Sequence, residues 1–193
     1  MRFVQSPLPG VWVIELDDLL RDERGWFVRT LDVEELRARG LELSVVQCNA
    51  SFTVRRGTLR GMHYQAEPHG EPKLVRCVRG AAFHVALDLR PDSPTYCGWH
   101  GAELSGENLR ALYLPPGVAH GFQTLVDGCE AFYQMGYRYV PEAARGVRWD
   151  DPAFAIRWPP VADGGARILS PRDRSFVDWE IAEREGSFAS SGH

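Results

Sequence analysis

Residues 81–90 read AAFHVALDLR, and the side chains of this run alternate from one side to the other. Phe83, Val85, Leu87 and Leu89 fall on one side of an extended chain, with His84, Ala86 and Asp88 on the other. Sustained alternation is a strand signature. The side carrying His84 and Asp88 is polar, and the sequence favours solvent over a cavity lining for it. Working outward, VWVIEL (11–16), LSVVQCNASFTV (43–54), KLVRCVRG (73–80), ALYLPPG (111–117), GFQTLV (121–126) and CEAFYQMGYRYV (129–140) are short and rich in β-branched or aromatic residues. Gly, Pro, Asp or Asn bound them. Many strands separated by turn signals predict an all-β sandwich or barrel. Helix is expected at two places: DVEELRARG (32–40), with Asp32 to cap it and Gly40 to stop it, and SFVDWEIAERE (175–185). There is no internal repeat or linker. A single domain is expected over residues 1–185, followed by a frayed tail at 186–193.

The 193 residues carry 26 acidic and 22 basic side chains, a net charge of −4. That balance argues against nucleic acid or an anionic membrane as partner, because either would select a basic face. No apolar run is long enough to span a membrane, and the N-terminus lacks the layout of a signal peptide, so a cytoplasmic location is expected. Cys48, Cys77, Cys97 and Cys129 are widely spaced with no CxxC pair, which predicts buried free thiols in preference to zinc or disulfides. Of the 22 basic residues only Lys73 is a lysine. Codon drift and a need for a compact, flexible ammonium explain that equally well at this point.

Two short patterns are similar to those of the cupin barrel: GTLRGMH (57–63) and PPGVAH (115–120). In metal-binding cupins the first continues as His-x-His followed by Glu, and the second supplies a further histidine. Here the second histidine of the pair is Gln65, and Glu67 and Glu71 miss the usual spacing. His69 could substitute, but it lies in EPHGEP, which reads as a loop. The expectation is a barrel with no metal. His63 and His120 then need another use, and an imidazole oriented by a carboxylate is the usual general base. Taken singly, each is explained as well by a hydrogen-bonded core histidine.

Seven segments in order, LRGMHYQ, KLVRCVRG, LDLRPDSPTYCGW, LPPGVAHGFQTL, FYQMGYRYVPE, GVRWDDPAFAIRWP and ILSPRD, resemble the dTDP-4-dehydrorhamnose 3,5-epimerase family of nucleotide-sugar enzymes. The resemblance implies a cupin-like jelly-roll with a few short peripheral helices, a homodimer, and no metal or other cofactor. It implies a nucleoside-diphospho-4-keto-6-deoxyhexose as substrate, whose C4 ketone acidifies the protons at C3 and C5. Carried over by position, His63 is the base, Asp173 its orienting carboxylate, Tyr133 the acid across the ring, and Lys73 the cation that stabilises the oxyanion. Tyr137 and Tyr139 share parity with Tyr133 and stay open as alternatives for the acid or as packing and stacking residues. Arg60 and Arg172 are expected near the diphosphate, with Gln47, Asn49, His120 and Tyr139 also at the substrate. Arg60 and His63 are three apart, so a bulge at Gly61 is needed to turn both inward. Asp150 and Asp151 read as turn and cap residues, Trp149 and Trp158 as packing, and Arg55–Arg56 as a solvated loop.

Two departures stand out. The family segment Asp-x-Arg-Gly-Phe-Phe-x-Glu is DERGWFVR here (22–29), with Trp26 for a Phe and Arg29 for the Glu that contacts the base. That opens the preference to CDP- or GDP-sugars, while the matching Arg24 and Phe27 keep nucleotide binding across a dimer interface. His84 stands where the family commonly has a cavity-facing Asp, which would change contacts to the sugar. Two other functions compete with the epimerase: a metal-dependent cupin oxygenase built on His63, His69 and His120, and a non-catalytic sugar-nucleotide-binding relative.

Overall fold

The computed structural model describes residues 1–179. Its strands are β1 (Arg2–Gln5), β2 (Trp12–Glu15), β3 (Leu20–Asp22), β4 (Gly25–Phe27), β5 (Gln47–Thr53), β6 (Leu59–Gln65) and β7 (Lys73–Arg79). They continue with β8 (Ala81–Asp88), β9 (Trp99–Ser105), β10 (Ala111–Leu114), β11 (Val118–Thr124), β12 (Cys129–Met135) and β13 (Ala144–Gly146). A six-stranded sheet runs β1-β2-β10-β7-β12-β5 and a five-stranded sheet β13-β6-β11-β8-β9, with β3 and β4 paired as a separate hairpin. The two sheets face each other as a cupin-like jelly-roll. The interior joins Val13, Val75, Leu112, Leu114 and Cys129 of the first sheet to Ala82, Ala86, Leu104, Val118 and Phe122 of the second.

Each expected strand has its counterpart. β6 and β9 were not among them, because LRGMHYQ and WHGAELS each carry a glycine and few β-branched residues. The hairpin β3–β4 and the short β1 and β13 were also not expected. Helix α1 (Val33–Arg37) starts as read, with Asp32 Oδ1 accepting from the backbone N–H groups of Glu34 and Glu35 at 3.0 and 3.3 Å. The second helix is displaced. Helix α2 spans Pro171–Ser175, capped by Ser170 with proline in its first turn, and residues 176–178 are not helical. The rest of the expected 175–185 helix from residue 180 on, and the tail at 186–193, lie outside the described residues.

The reading of β8 needs the larger correction. His84, Ala86 and Asp88 are 0 % exposed, so the side expected to meet solvent is buried. It faces the interior between the sheets. The opposite side is also covered: Val85 and Leu87, with Leu59, Met62 and Ala119, pack under Val147, Phe154, Trp158 and Trp179. Alternation reports that two faces differ, and the returning segment 147–179 makes both of them core. Cys77 and Cys129 are buried as expected. Cys48 is exposed, because it points outward from the edge strand β5, and Cys97 is half-buried.

The bulge at Gly61 is present. Between β6 and β11, His63 pairs with His120 and Arg60 with Phe122, so three steps on one strand match two on the other. A Cβ on Gly61, whose φ is +127°, would lie 2.5 Å from the Gly121 Cα. Only glycine fits that approach. The extra residue resets the phase: Leu59 and Met62 both pack outside, while Arg60 and His63 both line the interior cavity. Among the described residues no helix is long and apolar enough to cross a membrane.

Candidate active site

A cavity of about 600 Å³ opens between the sheets at the end where the interior turns polar. Along β7, Lys73, Val75 and Cys77 point inward, and along β12, Cys129, Ala131, Tyr133 and Met135 do so. The cysteine end of both strands closes the apolar core, and Lys73, Tyr133 and Met135 reach the cavity. His63 enters from β6 in the opposite sheet, so His63 and Tyr133 meet one space from its two sides.

His63 and Asp173 are 110 residues apart in sequence and touch: His63 Nε2 donates to Asp173 Oδ1 at 2.7 Å. The chain returns along β6, with the Leu59 N–H donating to Ile168 O at 2.8 Å. Ser170 Oγ then accepts from the Asp173 N–H at 3.1 Å, which starts α2. Asp173 is 3 % exposed. Burial works to raise its pKa, but the His63 bond and charge and the Gly61 N–H outweigh it and hold the carboxyl below its ordinary value. With Nε2 committed to the carboxylate, Nδ1 of His63 is the nitrogen left to accept a proton.

Burial pushes the Tyr133 hydroxyl up to about 12, against smaller opposing effects from Ser51 and Arg60. The three tyrosines of matching parity are now separated. Tyr133 lines the main cavity, Tyr139 lines an adjoining recess of about 380 Å³, and Tyr137 bonds His69 Nδ1 at 3.3 Å. Lys73 is 5 % exposed, and its Nζ donates to Glu71 Oε1 at 2.7 Å. In the sequence Glu71 reads only as a misplaced metal ligand. Its position two before Lys73 on an extended chain, hence on the same side, was the available signal.

Arg60 lines the cavity and is steadied by Thr53 Oγ1 at 3.2 Å. Arg172 lines both spaces, and its buried Nε has no hydrogen-bond partner among the described residues. Asn49 lines both as well, while Gln47 lines the smaller recess and accepts from the Tyr139 N–H at 2.9 Å. Ser51, Phe122 and Met135 also line the wall, with no signal in the sequence to single them out. Their chemistry is unremarkable in a string of residues, and only the sheet pairing collects them.

His120 lines the cavity. His84 does not: it is fully buried behind His120, with its Nδ1 3.0 Å from His120 Nε2. The cavity-facing place expected for it is corrected. The interior side of β8 is right, but His120 of the neighbouring strand lies between His84 and the cavity. Arg24, Phe27 and Arg29 are likewise not brought to the cavity within one chain. They sit on and beside the exposed β3–β4 hairpin, Arg24 paired with Asp22 and Arg29 with Asp32. The three histidines of a metal site do not gather either: His63 bonds Asp173, His69 bonds Tyr137 and His120 bonds His84. Among the described residues no group of three or more His, Cys, Asp or Glu side chains could hold a metal ion.

The chain is similar to known proteins in both sequence and fold. The family model described as dTDP-4-dehydrorhamnose 3,5-epimerase matches residues 5–180. The chain is 44 % identical over 177 residues to a dTDP-4-dehydrorhamnose 3,5-epimerase of Methanothermobacter thermautotrophicus, covering 91 % of this chain and 92 % of that one. Among solved structures it superposes on an epimerase of Mycobacterium tuberculosis with a TM-score of 0.91 and 35 % identity, covering 96 % of this chain and 92 % of the other. A 4-keto-6-deoxy sugar epimerase from the novobiocin biosynthetic gene cluster of Streptomyces spheroides gives a TM-score of 0.89 and 38 % identity, with coverages of 98 % and 93 %.

Proposed function

The chain belongs to the dTDP-4-dehydrorhamnose 3,5-epimerase family, an isomerase acting on nucleotide sugars, and from that premise we propose a substrate and a division of labour. The substrate is a nucleoside-diphospho-4-keto-6-deoxyhexose, turned over without a cofactor. Its C4 ketone acidifies the C–H bonds on either side, so a side-chain base can remove a proton and the ketone oxygen carries the charge.

His63 is the base, acting through Nδ1, and Asp173 holds the ring and stabilises the imidazolium once the proton is taken. Lys73, held by Glu71, faces the enolate oxygen, a role that typically supplies about 10²–10³ in rate. Tyr133 returns a proton to the other face. A phenol raised to about 12 stays protonated at neutral pH, which suits a donor. One observation carries the proposal: base and acid come from opposite sheets onto one cavity. Removal from one face and return to the other is what inversion of a carbon requires.

Arg60 and Arg172 take the diphosphate, and Gln47, Asn49 and Tyr139 line the recess for the rest of the nucleotide. Leu20, Trp26 and Phe27 are 70 %, 50 % and 72 % exposed on the hairpin, an apolar tip suited to a second copy. In a homodimer Arg24, Phe27 and Arg29 would then complete the partner's base site. With Trp26 and Arg29 in that segment, the base is left to experiment. The matched span of 5–180 supports one epimerase domain across residues 1–185.

Mass spectrometry of the TDP, CDP and GDP forms incubated in deuterium oxide tests the reading. Two enzyme-dependent deuterons mean inversion chemistry at C3 and C5, and one means a single carbon. Retained turnover in both His63→Asn and Tyr133→Phe would end the assignment, and binding without exchange would make the chain a non-catalytic relative.

A further inference from the structure

A second imidazole pair underlies the cavity, and proton transfer through His63 and Tyr133 does not use it. His84 and His120 stack with ring centroids 5.3 Å apart, and Phe122 lies 5.1 Å from the His84 ring. Across the 3.0 Å contact between His84 Nδ1 and His120 Nε2, one nitrogen must donate and the other accept. His84 Nε2 is buried without a hydrogen-bond partner among the described residues. If His120 were the donor, neutral His84 would keep its proton on Nε2, as a buried N–H that meets nothing. If His84 donates from Nδ1, Nε2 is left as a bare lone pair, the less costly orphan.

A proton on both rings is opposed by burial and by the basic groups that face them. Lys73 of β7 and His63 of β6 face His120, Tyr133 of β12 presents a ring to it at 6.0 Å, and His84 lies on β8. The carboxylates Glu71 and Asp173 are committed to Lys73 and His63. Burial pushes His84 down to about 3, and burial together with His84, Lys73 and His63 pushes His120 well below its ordinary value.

We propose that His84 is a positioning residue that holds His120 as the neutral tautomer protonated on Nδ1, presenting an uncharged N–H donor to a hydroxyl or carbonyl oxygen of the bound sugar. The sugar as ligand rests on the epimerase reading; the tautomer rests on the imidazole contact alone. An aspartate at position 84 would act in the opposite direction, accepting from Nε2–H and favouring the imidazolium.

Long-range proton–nitrogen correlation spectra of ¹⁵N-histidine-labelled protein, with His120 assigned by its loss in His120→Gln, read the tautomer directly. The expected signature of His120 is a protonated Nδ1 and an unprotonated Nε2, unchanged from about pH 5 to pH 9. A protonated Nε2, or both nitrogens titrating in that range, overturns the proposal. In His84→Asp both His120 nitrogens should be protonated at neutral pH, and the pH profile of deuterium uptake should gain one ionisation. An unchanged His120 spectrum in a folded His84→Asp protein also overturns it. If that variant does not fold, the wild-type spectrum still decides. Deuterium uptake with the wrong tautomer removes the role of His84 and leaves the epimerase standing. The expected tautomer without uptake upholds the imidazole assignment and removes the epimerase reading.

Discussion

His63 and His120 are register partners on neighbouring strands, yet each has been given a different companion. His63 is 37 % exposed at its side chain and bonded to a buried carboxylate. His120 is 6 % exposed and bonded to a buried imidazole. The first pair sets a reachable imidazole against a fixed carboxylate that holds its ring. Among the described residues the second has an imidazole and no carboxylate as partner, and it lies near Lys73, which favours staying neutral. On the proposed reading, one residue type on adjacent strands serves proton transfer in one place and hydrogen bonding in the other. The difference lies in the partner's charge and in access to the cavity.

Breaking the first pair should have the largest effect. His63→Asn is expected to lower the rate of deuterium uptake by about 10²–10⁴-fold, the usual worth of a positioned base. A loss under tenfold would make the two histidines equivalent and remove the contrast. Asp173→Asn turns the first pair into an uncharged one, like the second. The expected cost is about 10²-fold in kcat with KM little changed, read from steady-state kinetics; a change confined to KM would count against an orienting role.

The pairs should also separate in acid. His84 titrates near 3 in the fold against an ordinary 6.5. The unfolded chain therefore takes up a proton that the folded one refuses, and stability falls as pH drops below about 6.5. Asp173 is held below its ordinary 3.8, so its contribution is full above that value and is lost only as pH falls through the lowered one. Urea midpoints between about pH 7 and pH 4 should fall less steeply in His84→Asn than in wild type, while Asp173→Asn changes the slope only on the limb below about pH 4. Equal slopes in wild type and His84→Asn would show that burial does not restrain the second pair. The smallest effect is expected from Tyr137→Phe, which removes a hydroxyl bonded to His69 outside the main cavity. It should cost about 0.5–1.5 kcal/mol of stability and leave turnover within about twofold. A large kinetic loss would return Tyr137 to candidacy as the acid.

Much of this was readable from short-range pattern. The alternation in 81–90, the Asp32 cap and the Gly61 bulge depend on a few neighbouring residues, and each has its counterpart in the structure. His63, Lys73, Tyr133 and Asp173 were named from the resemblance of ordered motifs, and all four line one cavity. Glu71 reads in sequence as a misplaced metal ligand, and only the fold makes it the companion of Lys73. Tyr133, Tyr137 and Tyr139 could not be ranked by parity, since parity gives the side of a strand and not the depth along it.

The sequence by itself determined the β-rich class, the spacing of turns, and which residue types were available for proton chemistry, because these follow from local backbone preference and side-chain pattern. Tertiary structure decided which faces became core, that His84 lies beneath His120, and that a carboxylate 110 residues away reaches His63. Alternation along one strand is blind to what the rest of the chain lays over it. The solvation and charge of each imidazole come from segments that meet only when the sheets close and residues 147–179 return across them.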